Sequence, residues 1–239
     1  MEGVKKVKNV RIRNIPDGGE ERMPNNCAII GDIKKSRALD NWRNVFRELE
    51  KILKEINRRY SHVIVITFKP TVGDEFQGAI MSPEKSFEIY NVMRDALQVD
   101  IYCGIGVGDI EKPLKKKDVG MRGGAFYRAR DALGLCKKEN RNIFFKSSDT
   151  PSLKDDTINA FFRLIEALES SWTKRQREVV NYYRVHPDYT YDQLSKHFGF
   201  SKQAASQFLK ATNWEVISEG DNFVNKLLKN MSSSEDKVK

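Results

Sequence analysis

The sequence predicts an α+β layer followed by an all-helical unit. Three observations carry this. Up to about residue 150, short β-branched runs alternate with stretches whose apolar residues recur every three or four positions. After Asp149-Thr150-Pro151-Ser152 the strand signal stops and only helical spacing remains. Capping-box pairs then recur at Thr173-x-x-Gln176 and Thr190-x-x-Gln193.

Residues 1–24 read as a basic arm. VKKVKNVRIRNI alternates weakly, as an edge strand does, and Pro16-Asp17-Gly18-Gly19 is a turn signal. Cys27–Ile33 reads as a short buried strand that ends at an acid. The helix after it has Asp40 as its expected N-cap, and Trp42, Val45, Phe46, Leu49, Ile52, Leu53 and Ile56 make one apolar face. Val63–Phe68 is the second strand. Pro70–Glu75 is a tight connection, and Phe76–Met81 returns as the third.

Ser82-Pro83-Glu84 opens another helix, with Phe87, Tyr90, Met93 and Leu97 inward. Val99–Val107 is expected to be a fourth strand, broken by Gly104 and Gly106. A basic loop from Lys112 to Arg122 precedes a helix carrying Phe126, Ala129, Ala132, Leu133 and Cys136, and Asn142–Phe145 is the last strand. Strand, helix, hairpin, helix, strand, helix, strand suits a ferredoxin-like or palm-type layer. Its helices are expected on one face of a mainly antiparallel sheet.

Past residue 150, Ile158, Phe161, Phe162, Ile165 and Leu168 mark a connecting helix. Two short helices follow, parted by Gly199, with Ser201 capping the second. That is a helix-turn-helix signature. Trp214–Ile217 is expected as a wing strand and Asp221–Leu228 as a closing helix. The organisation is therefore an arm at 1–24, an α+β domain at 25–150, a helical connector and winged helix-turn-helix at 151–230, and a polar tail at 231–239.

Composition limits the function classes. The chain has 239 residues, of which 42 are Lys or Arg and 33 Asp or Glu, a net charge of +9 that favours a polyanionic partner. No apolar run approaches the ~20 residues that span a bilayer, and the N-terminus has no signal-peptide core, so a cytoplasmic protein without a membrane partner is expected. Cys27, Cys103 and Cys136 form no CxxC pair. With His62, His186 and His197 they have no zinc spacing, and buried thiols are expected.

Two carboxylates carry the chemistry of the first half. Asp32 ends the first strand and Asp74 lies in the turn of the hairpin. If that strand pairs beside the hairpin, both acids reach one end of the sheet, with Glu75 as an added ligand. Such acids hold Mg2+ or Mn2+, which in turn binds a triphosphate. Gly31 and Gly73 are expected to let phosphate approach the backbone. Arg122, Arg128 and Arg130 are candidate phosphate-binding residues. Lys112, Lys115, Lys116 and Lys117 read first as a solvated loop and second as a phosphate clamp.

Ile30-Gly31-Asp32-Ile33, Thr71-Val72-Gly73-Asp74-Glu75-Phe76 and Gly104-Ile105-Gly106-Val107-Gly108 together resemble the core of the class III nucleotidyl cyclases. Val72–Phe76 is also similar to the GGDEF signature, with Val72 in place of the first Gly. Ala125-Phe126-Tyr127-Arg128-Ala129-Arg130 and the helix-turn-helix bring the chain closest to the SatD family, over roughly Asn26 to Trp214. The resemblance implies that Asp32 and Asp74 bind metal and that two protomers build the site, hence a homodimer. It also implies departures from an active cyclase. Pro70 stands where the purine selector belongs. Tyr127 and Asp131 stand where a transition-state Asn and Arg belong, leaving Arg128 or Arg130 as substitutes in a shifted register. Asp32, Asp74, Arg128 and Arg130 are the catalytic candidates.

From Trp172 to Trp214, Lys174, Arg175, Arg177, Arg184, Lys196, Lys202 and Lys210 outnumber Glu178, Asp188 and Asp192. Leu194, Phe198, Ala205, Phe208 and Leu209 read as the buried seam. Ser201, Lys202, Gln203, Ser206, Gln207 and Lys210 remain as the outer, DNA-reading face. The expectation is a dimeric DNA-binding regulator whose cyclase-like domain binds a metal-nucleotide or related phosphate ligand. The alternatives are an active two-metal cyclase-type enzyme and an inert cyclase-like scaffold that only binds DNA.

Overall fold

The computed structural model describes residues 26–97, 99–111 and 122–232. The N-terminal arm, the four lysines of the 112–121 loop and the tail beyond residue 232 lie outside them. Among the described residues the chain is a mixed α+β structure with one five-stranded sheet and eight α-helices.

The strands are β1 (Asn26–Ile33), β2 (Ile64–Pro70), β3 (Glu75–Ile80), β4 (Ile101–Gly108) and β5 (Ile143–Lys146), in the order β2-β3-β1-β4-β5. β1 pairs antiparallel with β3 and β4, and β5 runs parallel to β4. All eight residues of β1 are buried, because both of its faces are covered. Cys27, Ile29 and Ile33 join the larger apolar cluster, while Ala28 and Ile30 pack with Ala125, Phe126, Ala129 and Leu133 of α3 (Gly124–Glu139).

The helices thus lie on both faces of the sheet, where one face was expected. β4 itself supplies the reason. Gly104, Gly106 and Gly108 do not break the strand, which runs unbroken from Ile101 to Gly108. They strip one face of side chains, so the α3 backbone lies directly on it. A Cβ on Gly106 would fall 2.2 Å from both the carbonyl oxygen of Ala125 and the nitrogen of Ala129.

The opposite face carries α1 (Trp42–Arg59) and α2 (Ser86–Ala96). Val45, Leu49, Leu53 and Ile56 are the buried stripe of α1. Asp40 does not cap α1. The helix begins after Asn41, whose carbonyl takes the N–H groups of Asn44 and Val45, so no side-chain cap is used. A short 3-10 turn, Pro83–Lys85, comes before α2.

Ser152 caps α4 (Leu153–Ser170), as its place before the helical half suggests. Asn159 of α4 clamps the edge strand. Its Oδ1 accepts from the Phe145 N–H at 2.8 Å and its Nδ2 donates to the Phe145 carbonyl at 2.9 Å. Next come α5 (Lys174–Val185), α6 (Tyr191–Phe198), α7 (Lys202–Ala211) and α8 (Trp214–Ser232).

There is no wing at 214–217. Ile217, Val224, Leu228 and Met231 are buried at spacings of seven, four and three residues, one helical stripe, so α8 absorbs the expected strand. The apolar cluster runs without a break from β1 to α8, with the Phe87 and Phe162 rings 4.8 Å apart. No helix among the described residues is long and apolar enough to cross a membrane.

Candidate functional site

The acids converge. Asp32 pairs in register with Glu75, and the Ile33 N–H donates to the Asp74 carbonyl at 3.3 Å. Gly73 turns the hairpin with a left-handed φ of 68° and open space around it. Asp32, Asp74 and Glu75 thereby share one end of the sheet.

Each acid already has a partner. Lys137 Nζ lies 2.6 Å from Asp32 Oδ2. Arg130 Nη1 donates to both Glu75 carboxylate oxygens, at 2.8 and 2.7 Å. The Ser36 hydroxyl donates to Asp74. Arg130 and Lys137 are two turns apart on α3, so both sit over the acid cluster. Burial pushes the Asp32 carboxyl above its ordinary range; Lys137 opposes that rise, and the Asp74 and Glu75 charges add to it. Sequence reading missed Lys137 and Ser36. The seven-residue step from Arg130 was the signal available for Lys137.

Two phosphate candidates fall elsewhere. Asp32 pairs with Tyr102 at one end of β1, and Asn26 with Gly108 at the other. Arg128 is at the Gly108 end, donating to the Val107 carbonyl at 2.8 Å and to Asp149 at 2.9 and 3.1 Å. Arg122 is there too, since its carbonyl accepts from the Glu111 N–H at 3.1 Å. Gly31 does not open the backbone to phosphate. A Cβ there would lie 2.1 Å from the Phe76 ring, which fills the space. Among the described residues, Arg130 alone of the basic candidates stands at the acids. Tyr127 is exposed, and Asp131 pairs with Lys146 at 2.9 Å.

Three carboxylates are hard oxygen donors and suit Mg2+ or Mn2+ by type. Among the described residues, however, no group of three His, Cys, Asp or Glu side chains is close enough to hold a metal. Loading one at Asp32 requires Lys137 to leave. The three cysteines are free and buried, and burial pushes the Cys27 and Cys136 thiols up to about 12.

The helical half is locally well specified. Thr173 and Thr190 each accept from the N–H three residues on, and Gln176 and Gln193 reach back to complete both capping boxes. Gly199 ends α6 with a left-handed φ of 69°, and Ser201 caps α7 by accepting from the Ala204 N–H at 3.1 Å. Ala205 and Leu209 of α7 pack inward with Leu194. Lys202, Gln203, Gln207 and Lys210 are exposed, and Ser206 is half-buried. The Ser201 hydroxyl is occupied as the cap.

Not all of the basic residues there face solvent. Arg184 is buried, 2.6 Å from Glu169 and 3.2 Å from Asp221. Arg94 binds the same Glu169 at 2.6 Å and Asp95 at 3.1 Å. This buried network ties α2, α4, α5 and α8 together. Arg175 stacks on Phe198, with 5.0 Å from guanidinium to ring centre, and Lys196 pairs with Asp192 at 2.8 Å.

The SatD family model matches residues 26–228 of the chain. No curated protein matches it. Among solved structures, a regulator of polyketide synthase expression from Bifidobacterium adolescentis is 14% identical, over 89% of this chain and 82% of that one. Its TM-score is 0.24.

Proposed function

The chain belongs to the SatD family, and we propose that it is a cytoplasmic, dimeric DNA-binding regulator. In this reading residues 25–150 bind a metal-nucleotide or related phosphate ligand and residues 151–230 present a helix-turn-helix. One observation carries it. α7 follows a three-residue turn after α6, is capped by Ser201, and keeps Lys202, Gln203, Gln207 and Lys210 exposed. Gln offers a bidentate match to adenine, and Lys neutralises phosphate.

The sheet order β2-β3-β1-β4, with antiparallel neighbours, supports the ferredoxin-like, cyclase-like description. The convergence of Asp32, Asp74 and Glu75 supports a metal-nucleotide site there. A gel shift on the DNA upstream of the protein's own gene tests the regulator. The wild type should shift it. Unchanged affinity in a Lys202→Ala, Gln203→Ala variant would overturn the recognition face.

Arg130 favours a second reading, an active enzyme, because it brings a cation to the acids where charge on a phosphate would develop. Incubation with Mn2+ and each nucleoside triphosphate tests it, and no product from any of them sinks it. The pairing of Asp32 with Lys137 and of Glu75 with Arg130 favours a third, a scaffold without a ligand. Mn2+ titration separates that from the other two.

A further inference from the structure

One face of the helical half is apolar and uncovered among the described residues. α4 and α8 pack against each other there. The Phe161 and Phe223 rings are 4.9 Å apart, and a Cβ on Gly220 would lie 3.5 Å from Ile165 Cδ1. Four residues forward on α4 match three residues back on α8, so the two helices run antiparallel. Ile165, Ile217, Val224 and Leu228 turn inward and are buried. On the outer side Leu164 is 62% exposed, Val216 59% and Phe223 43%. The outer face of a surface helix is ordinarily polar. An apolar patch shared by two neighbouring helices marks an interaction surface.

Charge makes the same face complementary to itself. Glu215, Glu219 and Lys226 are exposed along α8 and make no ion pair among the described residues. Glu215 and Glu219 stand four apart, where like charges repel. The helix dipole attracts charge only at the first and last turns. Glu219 and Lys226 are the sixth and thirteenth residues of a 19-residue helix, beyond that reach. Their midpoint falls between Asn222 and Phe223. That is the level of Phe161 on α4, and Leu164 is within about one turn of it. The apolar patch therefore lies at the centre of the charge pair. A two-fold axis at that level sets a second α8 antiparallel to the first. Glu219 of each copy then meets Lys226 of the other, around an apolar centre.

We propose that this α4–α8 face is where a second copy of the chain docks, α8 against α8 in antiparallel. The dimer is the one in the reading above, on which this location rests. Such docking also sets the separation of the two α7 helices. Only Thr212 and Asn213 lie between α7 and α8. The corner they form is tied down. Trp172 Nε1 donates to the Thr212 carbonyl at 3.1 Å, and the buried Thr212 hydroxyl donates to the Phe208 carbonyl at 2.9 Å. A dimer joined at α8 holds two α7 helices at one spacing, as paired DNA half-sites require.

The test is sedimentation equilibrium of the full chain over a concentration series. The wild type should dimerise reversibly. Glu219→Lys and Lys226→Glu should each weaken the dimer about tenfold, since each sets two like-charge pairs across the axis. Both positions are exposed, so urea melts should match the wild type. An equimolar mixture of the two single variants should recover the wild-type association, because every pair between unlike variants is again opposite in sign. Leu164→Asp should dissociate the dimer as well. A wild type that is monomeric at every concentration would overturn this proposal together with the dimer of the reading above. Single variants that associate like the wild type, or a mixture no stronger than its components, would overturn this interface alone. The gel shift reads DNA binding independently of both.

Discussion

The Lys137 ammonium sits 2.6 Å from the Asp32 carboxylate and joins the last turn of α3 to the end of the central strand. A lysine in that place competes with any metal for Asp32. Lys137→Met should therefore raise Mn2+ affinity, by about tenfold if the ion pair is worth ~1.4 kcal/mol. Asp32→Asn should abolish binding. Calorimetric titration with Mn2+ reads both. Weaker binding in Lys137→Met would show that Lys137 supports the site instead of blocking it.

How far the sequence reaches depends on the range of the interaction. Thr173, Thr190 and Ser201 announce three helix starts because a cap is settled within four residues. The order of strands and helices up to Phe145 was likewise legible from apolar spacing. Register across the sheet was not. It decides that Arg130 meets Glu75 while Arg128, only two residues away, turns to Asp149. The Gly104, Gly106 and Gly108 alternation is visible in the sequence, but Gly104 and Gly106 there suggest a break, since a strand pattern does not say what covers its bare face. The segment Trp214–Ile217 was too short to separate strand from helix until Val224 and Leu228 fixed the period.

Gly106 should tolerate nothing larger. Its Cβ would meet α3 backbone at 2.2 Å, and backbone does not rotate away as a side chain does. Gly106→Ala is expected to cost at least about 1–3 kcal/mol, the range for overpacking. Gly134, mid-helix on α3, has open space around its Cβ position. Gly134→Ala should stabilise the protein by roughly 0.5–1 kcal/mol. Urea denaturation of the two variants should move in opposite directions.

Gly31 offers a cleaner distinction between packing and ligand approach. The Phe76 ring lies where its Cβ would be, at 2.1 Å. Gly31→Ala should destabilise by about 1–3 kcal/mol. Combining it with Phe76→Leu should recover part of that loss, giving a coupling of at least about 0.5 kcal/mol in a double-mutant cycle. Additive effects would mean that the glycine serves something other than the ring.

Asp221 should make stability fall as pH rises through mildly acidic values. Burial pushes its carboxyl up to about 6, from an ordinary aspartate value of 3.8, with Arg184 and Arg94 opposing and Glu169 and Asp95 adding. Because the folded state holds the proton more tightly, its contribution is fully present below the unfolded value. It is lost as pH rises toward about 6. Asp32 and Glu166 shift the same way and Glu169 the opposite way. The difference between wild type and Asp221→Asn isolates the one group. Denaturation midpoints from pH 4 to 7 should decline less steeply in the variant, and parallel curves would refute the assignment.

The buried ion network also divides two arginine or lysine losses that composition alone would treat alike. Lys202 is exposed at the start of α7, whereas the Arg184 side chain is 7% exposed and held by Glu169 and Asp221. Lys202→Ala should leave the thermal midpoint unchanged, weaken DNA binding, and lower the slope of log affinity against log salt by about 1. Arg184→Ala should act through folding, costing about 3–5 kcal/mol by leaving Glu169 and Asp221 without their shared cation. Any folded remainder should keep the wild-type salt slope. Filter binding across a salt series, paired with urea melts, reads both effects. A reduced slope in Arg184→Ala with unaltered stability would place Arg184 on the nucleic-acid face after all.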